Sequence, residues 1–257
     1  VFLTKAQFLT FAGLAALAGC GGHSPAPRAA SPDAVAAEDL YLAPPSVSRA
    51  VRQGSAVVLS GQAPAAAKLR LGTPGGEALA TTADRQGRWT ITLPASAQPR
   101  IFGLSMAVGA RQVQAQGYVL VGPGGQAALL RSGAGALRLD PRPAGRIGAF
   151  DFDRDGGAVV SGVAPADAAL SVQLDGRQAA DARADAQGRY SVALPRLTAG
   201  PHRLEVKGDG FYDSVAVEAS PPAPLADGPL RSQFSSGGLR ADWMTPGGGV
   251  QSTFLPG

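Results

Sequence analysis

An internal duplication constrains this chain more than any other feature. Shifting the sequence by 101 positions, without a gap, places Ser60 on Ser161 and Pro94 on Pro195, and the two stretches agree at 16 of 35 positions. The matches include Ser60-Gly61 with Ser161-Gly162, the block Ala83-Asp84-x-Gln86-Gly87-Arg88 with its copy at 184–189, and the closing Leu-Pro. A repeated unit of this length is one supersecondary block used twice, so the body of the chain is expected to hold two related modules.

Each copy reads as strands. Leu69 and Leu71 alternate with Lys68 and Arg70, and Leu170, Val172 and Leu174 alternate with Ser171 and Gln173. That period of two marks a half-buried strand. Asp84 and Gly87, like Asp185 and Gly188, sit at the first and fourth positions of a turn, where an Asp side chain bonds the backbone and glycine accepts a positive φ. Trp89, Ile91 and Leu93 then share one face, matched by Tyr190, Val192 and Leu194. With 35 glycines and 21 prolines among 257 residues and only 6% aromatics, short strands and frequent turns are favoured over long helices.

The combination of Ala-Pro, an alternating strand, and Asp-x-x-Gly-Arg-(Trp/Tyr) before a strand ending in Leu-Pro resembles bacterial immunoglobulin-like and carboxypeptidase-regulatory-like β modules. It is also similar to the accessory β-domain of sialate O-acetylesterases. The resemblance covers about 35 residues in each half and implies an all-β chain of two tandem immunoglobulin-like sandwiches. It carries no activity, because no serine-nucleophile domain accompanies it. The expected modules span 46–145 and 146–220. Residues 221–257 then form a Pro-rich connector and a hairpin, with Leu239 to Trp243 and Val250 to Leu255 flanking Thr-Pro-Gly-Gly-Gly, either docked on the second module or offered to a partner.

The N-terminal segment 1–19 has one cation, Lys5, an apolar run from Phe8 to Ala18, and small residues before Cys20. This is the pattern of a secretory signal peptide, and the run is well short of the roughly 20 residues that span a bilayer. Leu17-Ala18-Gly19-Cys20 resembles the lipobox of bacterial lipoproteins, which implies acylation at Cys20, cleavage before it and anchoring to membrane lipid. Gly21 and Gly22 stand where an Asp favours inner-membrane retention in some bacteria, so the resemblance implies the outer membrane, at its periplasmic face or the cell surface. Residues 20–45 are rich in Pro and Ala and read as an extended tether, about 3 Å per residue.

Few residues can carry chemistry. Cys20 is the sole cysteine, which excludes an intramolecular disulfide and a cysteine zinc cluster, and His23 and His202 are the two histidines. His202 lacks a G-x-S-x-G elbow, and Gly247-Gly248-Gly249 lacks the Lys and Ser/Thr of a phosphate loop. The net charge of +4 comes from dispersed arginines rather than a basic stripe, so no nucleic-acid partner is expected. Asp151, Asp153 and Asp155 have the Asp-x-Asp-x-Asp-Gly spacing that gathers carboxylates around Ca2+, although Gly162 stands where an EF-hand needs Glu. The same residues also read as an Asp-rich turn on the hinge between the modules. Trp89 and Tyr190 read as core residues or as sugar-stacking platforms, and Trp243, beside a glycine turn, as a candidate binding residue.

Together these features lead to the expectation of a non-enzymatic, membrane-anchored envelope lipoprotein that serves as a scaffold or as a module binding a protein or polysaccharide. The alternative is a carbohydrate-binding accessory protein working with a separate hydrolase, which requires exposed aromatics. No cofactor is expected beyond the candidate Ca2+.

Overall fold

The computed structural model describes residues 42–257, which form one compact unit. The signal-like segment, Cys20 and most of the tether lie outside the described residues. The chain is all-β. Its first module contains β1 (Ser46–Gln53), β2 (Ala56–Gln62), β3 (Lys68–Gly72), β4 (Ala78–Thr82), β5 (Arg88–Leu93), β6 (Arg100–Val108), β7 (Arg111–Val121), β8 (Ala127–Leu130) and β9 (Leu137–Arg138). The second contains β10 (Arg146–Asp153), β11 (Ala158–Val163), β12 (Ala169–Leu174), β13 (Arg177–Arg183), β14 (Arg189–Leu194), β15 (Gly200–Gly208) and β16 (Phe211–Ala219). Three further strands follow, β17 (Leu230–Ser235), β18 (Gly238–Met244) and β19 (Val250–Pro256).

Four antiparallel sheets result. Sheet I has the order β1-β2-β5 and sheet II β4-β3-β6-β7-β8-β9; sheet III has β14-β11-β10-β19-β18-β17 and sheet IV β13-β12-β15-β16. Seven strands of each module repeat one arrangement, three in one sheet and four in the other, with the fourth strand beside the third. That is an immunoglobulin-like sandwich. Sheets I and II enclose a core of Leu59, Trp89, Leu93, Leu69, Leu71, Leu104, Met106 and Val119. Sheets III and IV enclose Phe150, Val160, Tyr190, Leu170, Val172, Leu204 and Val206.

The repeated residues have repeated structural jobs. Asp84 Oδ1 accepts from the N–H groups of Gln86 and Arg88, and Asp185 Oδ1 from those of Gln187 and Arg189, as the turn spacing predicts. Trp89 Nε1 donates to Ser46 O at 3.1 Å, and Tyr190 Oη to Arg146 O at 3.2 Å. Each ring therefore lies across a glycine. A Cβ on Gly61 would come within 1.9 Å of Ser46 O and 2.8 Å of the Trp89 ring, and one on Gly162 within 2.4 Å of the Tyr190 hydroxyl. A bulge recurs near the start of both first strands, between Val47 and Arg49 and between Ile147 and Ala149.

The C-terminal strands do not stand apart as a separate hairpin. β19 pairs with β10 from Phe150–Phe254 to Asp153–Gln251, so β17, β18 and β19 widen sheet III from three strands to six. β8 and β9 widen sheet II in the same way.

Candidate functional site: the junction between the modules

The two widened sheets pack on each other. Ile101, Leu120, Ala128 and Leu130 on the outer face of sheet II meet Ala149, Leu239, Ala241, Trp243 and Leu255 on the outer face of sheet III in one buried cluster. Over the area of this cluster sheets II and III are covered on both faces. β8 is buried at all four residues and β10 at six of eight, the pattern of strands inside a stack rather than at a surface. β18 divides its side chains accordingly: Leu239, Ala241 and Trp243 enter the junction, while Arg240 and Asp242 point to the other face.

Trp243 is the largest side chain in this layer and is 0% exposed. Its ring meets Tyr118 edge to face, with centroids 6.0 Å apart and planes at 81°. Its Nε1 donates to Thr253 Oγ1 at 3.0 Å, and Thr253 in turn donates to Asp151 Oδ1. The structure thus places Trp243, the candidate binding residue, inside the junction. Its indole is consumed by interlayer packing and a buried hydrogen bond, and presents nothing to a ligand.

Asp151 is buried at the end of that chain, where Oδ2 accepts from Ala136 N at 2.5 Å. Around it the 131–136 loop of the first module is clamped onto the second. Ser161 Oγ donates to Ala136 O at 2.5 Å, Ser191 Oγ to Ala134 O at 2.7 Å, and Gly133 N to Gln251 Oε1 at 3.2 Å. Gly135 is required here, because its φ is +81° and a Cβ would lie 2.5 Å from Ser191 Oγ.

The three aspartates of the candidate Ca2+ loop go to different tasks. Asp151 faces the junction, Asp153 Oδ1 accepts from Asp155 N and Gly157 N at 2.8 Å each, and Asp155 is exposed. Among the described residues no three His, Cys, Asp or Glu side chains converge on one point. Asp151 is tied to Thr253 and Ala136 within the junction, whereas Asp153, at the end of β10, is tied to the turn that follows it. The Asp-x-Asp-x-Asp-Gly stretch forms a hydrogen-bonded turn, and its three carboxylates do not share one site in this arrangement.

Burial raises the Asp151 carboxyl to about 6, against the bonds from Thr253 and Ala136 that favour its anion. The folded state then holds a proton that the unfolded state, with its carboxyl near 3.8, has released. This contribution to stability falls as pH rises from about 4 to 6, and its full cost above that range is about 3 kcal/mol. Asp151→Asn removes the slope. The difference in urea midpoint between variant and wild type shifts toward the variant across that window, and pH profiles that stay parallel contradict the assignment. Asp84, whose anion is held mainly by the Arg88 N–H, and Asp175, held mainly by Arg203 N–H, slope the opposite way in both proteins and cancel.

A second polar centre fixes the inter-module linker. Arg138 is almost fully buried and forms a two-pronged pair with Asp140, Nε–Oδ1 2.6 Å and Nη2–Oδ2 3.0 Å. Its Nη1 donates to Pro256 O at 2.9 Å and Gly148 O at 3.2 Å, and Arg142 Nη1 also donates to Pro256 O, at 3.0 Å. The linker thereby holds the end of β19.

His202 has no free ring nitrogen. Nδ1 lies 2.7 Å from Asp175 Oδ2 and Nε2 2.9 Å from Thr198 O. Partial burial alone lowers its pKa, but these two acceptors outweigh it and raise the value. An imidazolium with both protons committed to acceptors cannot take a proton from a nucleophile. Trp89 and Tyr190 are 2% and 3% exposed and lie in the sandwich cores, and Trp243 is internal as well. None of these three rings offers the exposed face that stacking on a sugar requires.

No protein-family profile matches the chain, and no curated protein matches it. Among solved structures it is similar to a carbohydrate acetylesterase from Xanthomonas citri, at 39% identity over 25% of this chain and 15% of that one, with a TM-score of 0.23. It is also similar to the central fibronectin-III array of RIM-binding protein, at 13% identity over 79% of this chain and 72% of that one, TM-score 0.26. A third likeness is to invasin, a bacterial integrin-binding protein, at 13% identity over 84% of this chain and 54% of that one, TM-score 0.22. This chain spans under a sixth of the esterase's length. Scores this low decide nothing about function, and the immunoglobulin-like class follows from the strand order itself.

Proposed function

We propose that the protein is a non-enzymatic envelope lipoprotein, anchored to the outer membrane through acylated Cys20, whose two modules act as one rigid body that holds a protein-binding surface away from the bilayer. The observation that carries this reading is the apolar layer between sheets II and III. A chain of independent beads has small, polar contacts between domains, whereas here Trp243, Leu239, Leu255, Leu120 and Leu130 bury a continuous core across the boundary. Such a body transmits position without bending. The internal place of Trp89, Tyr190 and Trp243 favours a protein partner over a polysaccharide.

The anchor is tested by intact mass of the protein recovered from membranes of a bacterial host that processes lipoproteins. An N-terminal Cys20 carrying two or three acyl chains is expected, with Cys20→Ala released in soluble form. A soluble, unacylated wild type contradicts the anchor and leaves the rigid two-module body untouched.

A further inference from the structure

Sheet IV is narrower than the sheet it covers. It has four strands against six, and its last strand, β16, lies over β10, where Asp213 accepts from Ile147 N at 2.8 Å and pairs with Arg146 at 3.2 Å. β19, β18 and β17 continue past it. Cross-strand register puts Phe150, Phe254, Arg240 and Gln233 in one row on the face that sheet IV covers only in part. Between this shelf and β16 runs a groove of about 440 Å3, floored by Phe150, Phe152 and Phe254 and walled on one side by Ala216 and Glu218. Arg240 closes one end by donating to Ser220 Oγ and, at 2.8 Å, to Ser220 O.

The wall of the groove is an unfilled sheet edge. β16 pairs only with β15, and Pro201, which has no N–H, stands opposite Glu218. That pair is therefore of the non-hydrogen-bonded kind, and alternation along an antiparallel ladder turns the backbone groups of Ser214 and Ala216 and the N–H of Glu218 toward the groove. Glu218 O is taken by Ser220 N at 3.1 Å. Other edges of the second module are guarded. β13 faces a register shift in its pairing and carries Arg177 and Arg183, β14 carries Arg189, and β17 carries Arg231. β16, FYDSVAVEA, is nine residues long with regular pairing, no proline, no Lys and no Arg. Its one inward charge, Asp213, is taken up by Ile147 N and Arg146, and an edge of this length with open backbone groups attracts a strand.

We propose that β16 accepts one extended segment of a partner protein as a fifth strand of sheet IV. The segment places apolar side chains at alternate positions over Phe254, and a basic residue beside Glu218. The aromatic floor selects the inward residues, and the exposed Glu218 carboxylate, whose neighbour on β15 is His202 with both ring nitrogens already bonded to Asp175 and Thr198, selects the basic one. The proposal rests on the scaffold reading and specifies its binding surface.

The test uses the full chain and a fluorescent peptide, Thr-Val-Lys-Val-Thr-Val-Lys, followed by anisotropy and by amide hydrogen exchange. Saturating peptide is expected to slow exchange at Ser214, Ala216 and Glu218 about tenfold or more, since these amides are otherwise open to solvent. Ala216→Pro removes one edge donor that no protein group uses and abolishes binding, with the unfolding midpoint nearly unchanged; Glu218→Lys weakens it several-fold. The same peptide N-methylated at alternate residues, which needs no altered protein, does not bind. Protection confined to another edge, no protection at all, or protection that rises with protein concentration in the absence of peptide overturns the proposal. In each of those cases the anchor and the rigid junction stand on their own measurements.

Discussion

Trp243→Ala lowers the unfolding free energy by about 3 to 5 kcal/mol, the largest effect expected of any single side chain outside the two sandwich cores. The substitution empties the centre of the interlayer, removes the edge contact to Tyr118 and leaves Thr253 without its indole donor. The loss is not spread evenly. Each module keeps its own core, built from residues that do not touch Trp243's layer, so the variant keeps two folded sandwiches and loses the coupling between them. Leu239→Ala acts in the same direction at a smaller size, about 2 to 4 kcal/mol, because an aliphatic side chain leaves a smaller cavity.

Arg138→Met has a comparable cost, about 3 to 5 kcal/mol, for an electrostatic reason. It leaves the Asp140 carboxylate, 18% exposed, with Ala127 N at 2.8 Å as its one remaining hydrogen bond and Arg142 as a more distant cation, and strips a donor from Pro256 O and Gly148 O. The pair Arg138→Met with Asp140→Asn recovers part of the loss, since the amide oxygen still accepts from Ala127 N and no unpaired charge remains buried. Arg138→Lys recovers little, because one ammonium cannot replace a planar fork that bonds a carboxylate and two carbonyls together. Urea unfolding of the three variants measures this, and equal losses for the single and double substitutions contradict the account.

The strands of both sandwiches were legible in the sequence because each has one wet face. Trp89-x-Ile91-x-Leu93 and its copy alternate, and the Asp84 and Asp185 turns carry their own chemistry in the letters Asp-x-x-Gly-Arg. The junction was not legible in the same way. A strand covered on both faces shows no alternation, and Tyr118-Val119-Leu120-Val121, Ala127 to Leu130 and Ile147 to Phe152 are runs of that kind. Such runs are the signal a sequence can give for a stacked arrangement, and they do not say which sheets stack. Asp151 and Trp243 were read by local spacing as ligand groups, whereas long-range pairing, Asp151 with Thr253 and Trp243 with Tyr118, decides what they do. Local spacing carries no information about partners a hundred residues away. The groove beside β16 follows from a mismatch in strand number between two sheets, a property that exists only after the C-terminal strands have joined sheet III.

The central claim is that the interlayer makes residues 42–257 one cooperative body, and scanning calorimetry of the wild type beside Trp243→Ala tests it most directly. The account predicts a single wild-type transition whose calorimetric and van't Hoff enthalpies agree, split into two in the variant. Two transitions already present in the wild type, unchanged in spacing by Trp243→Ala, would show that the sandwiches unfold independently and that the junction does not couple them.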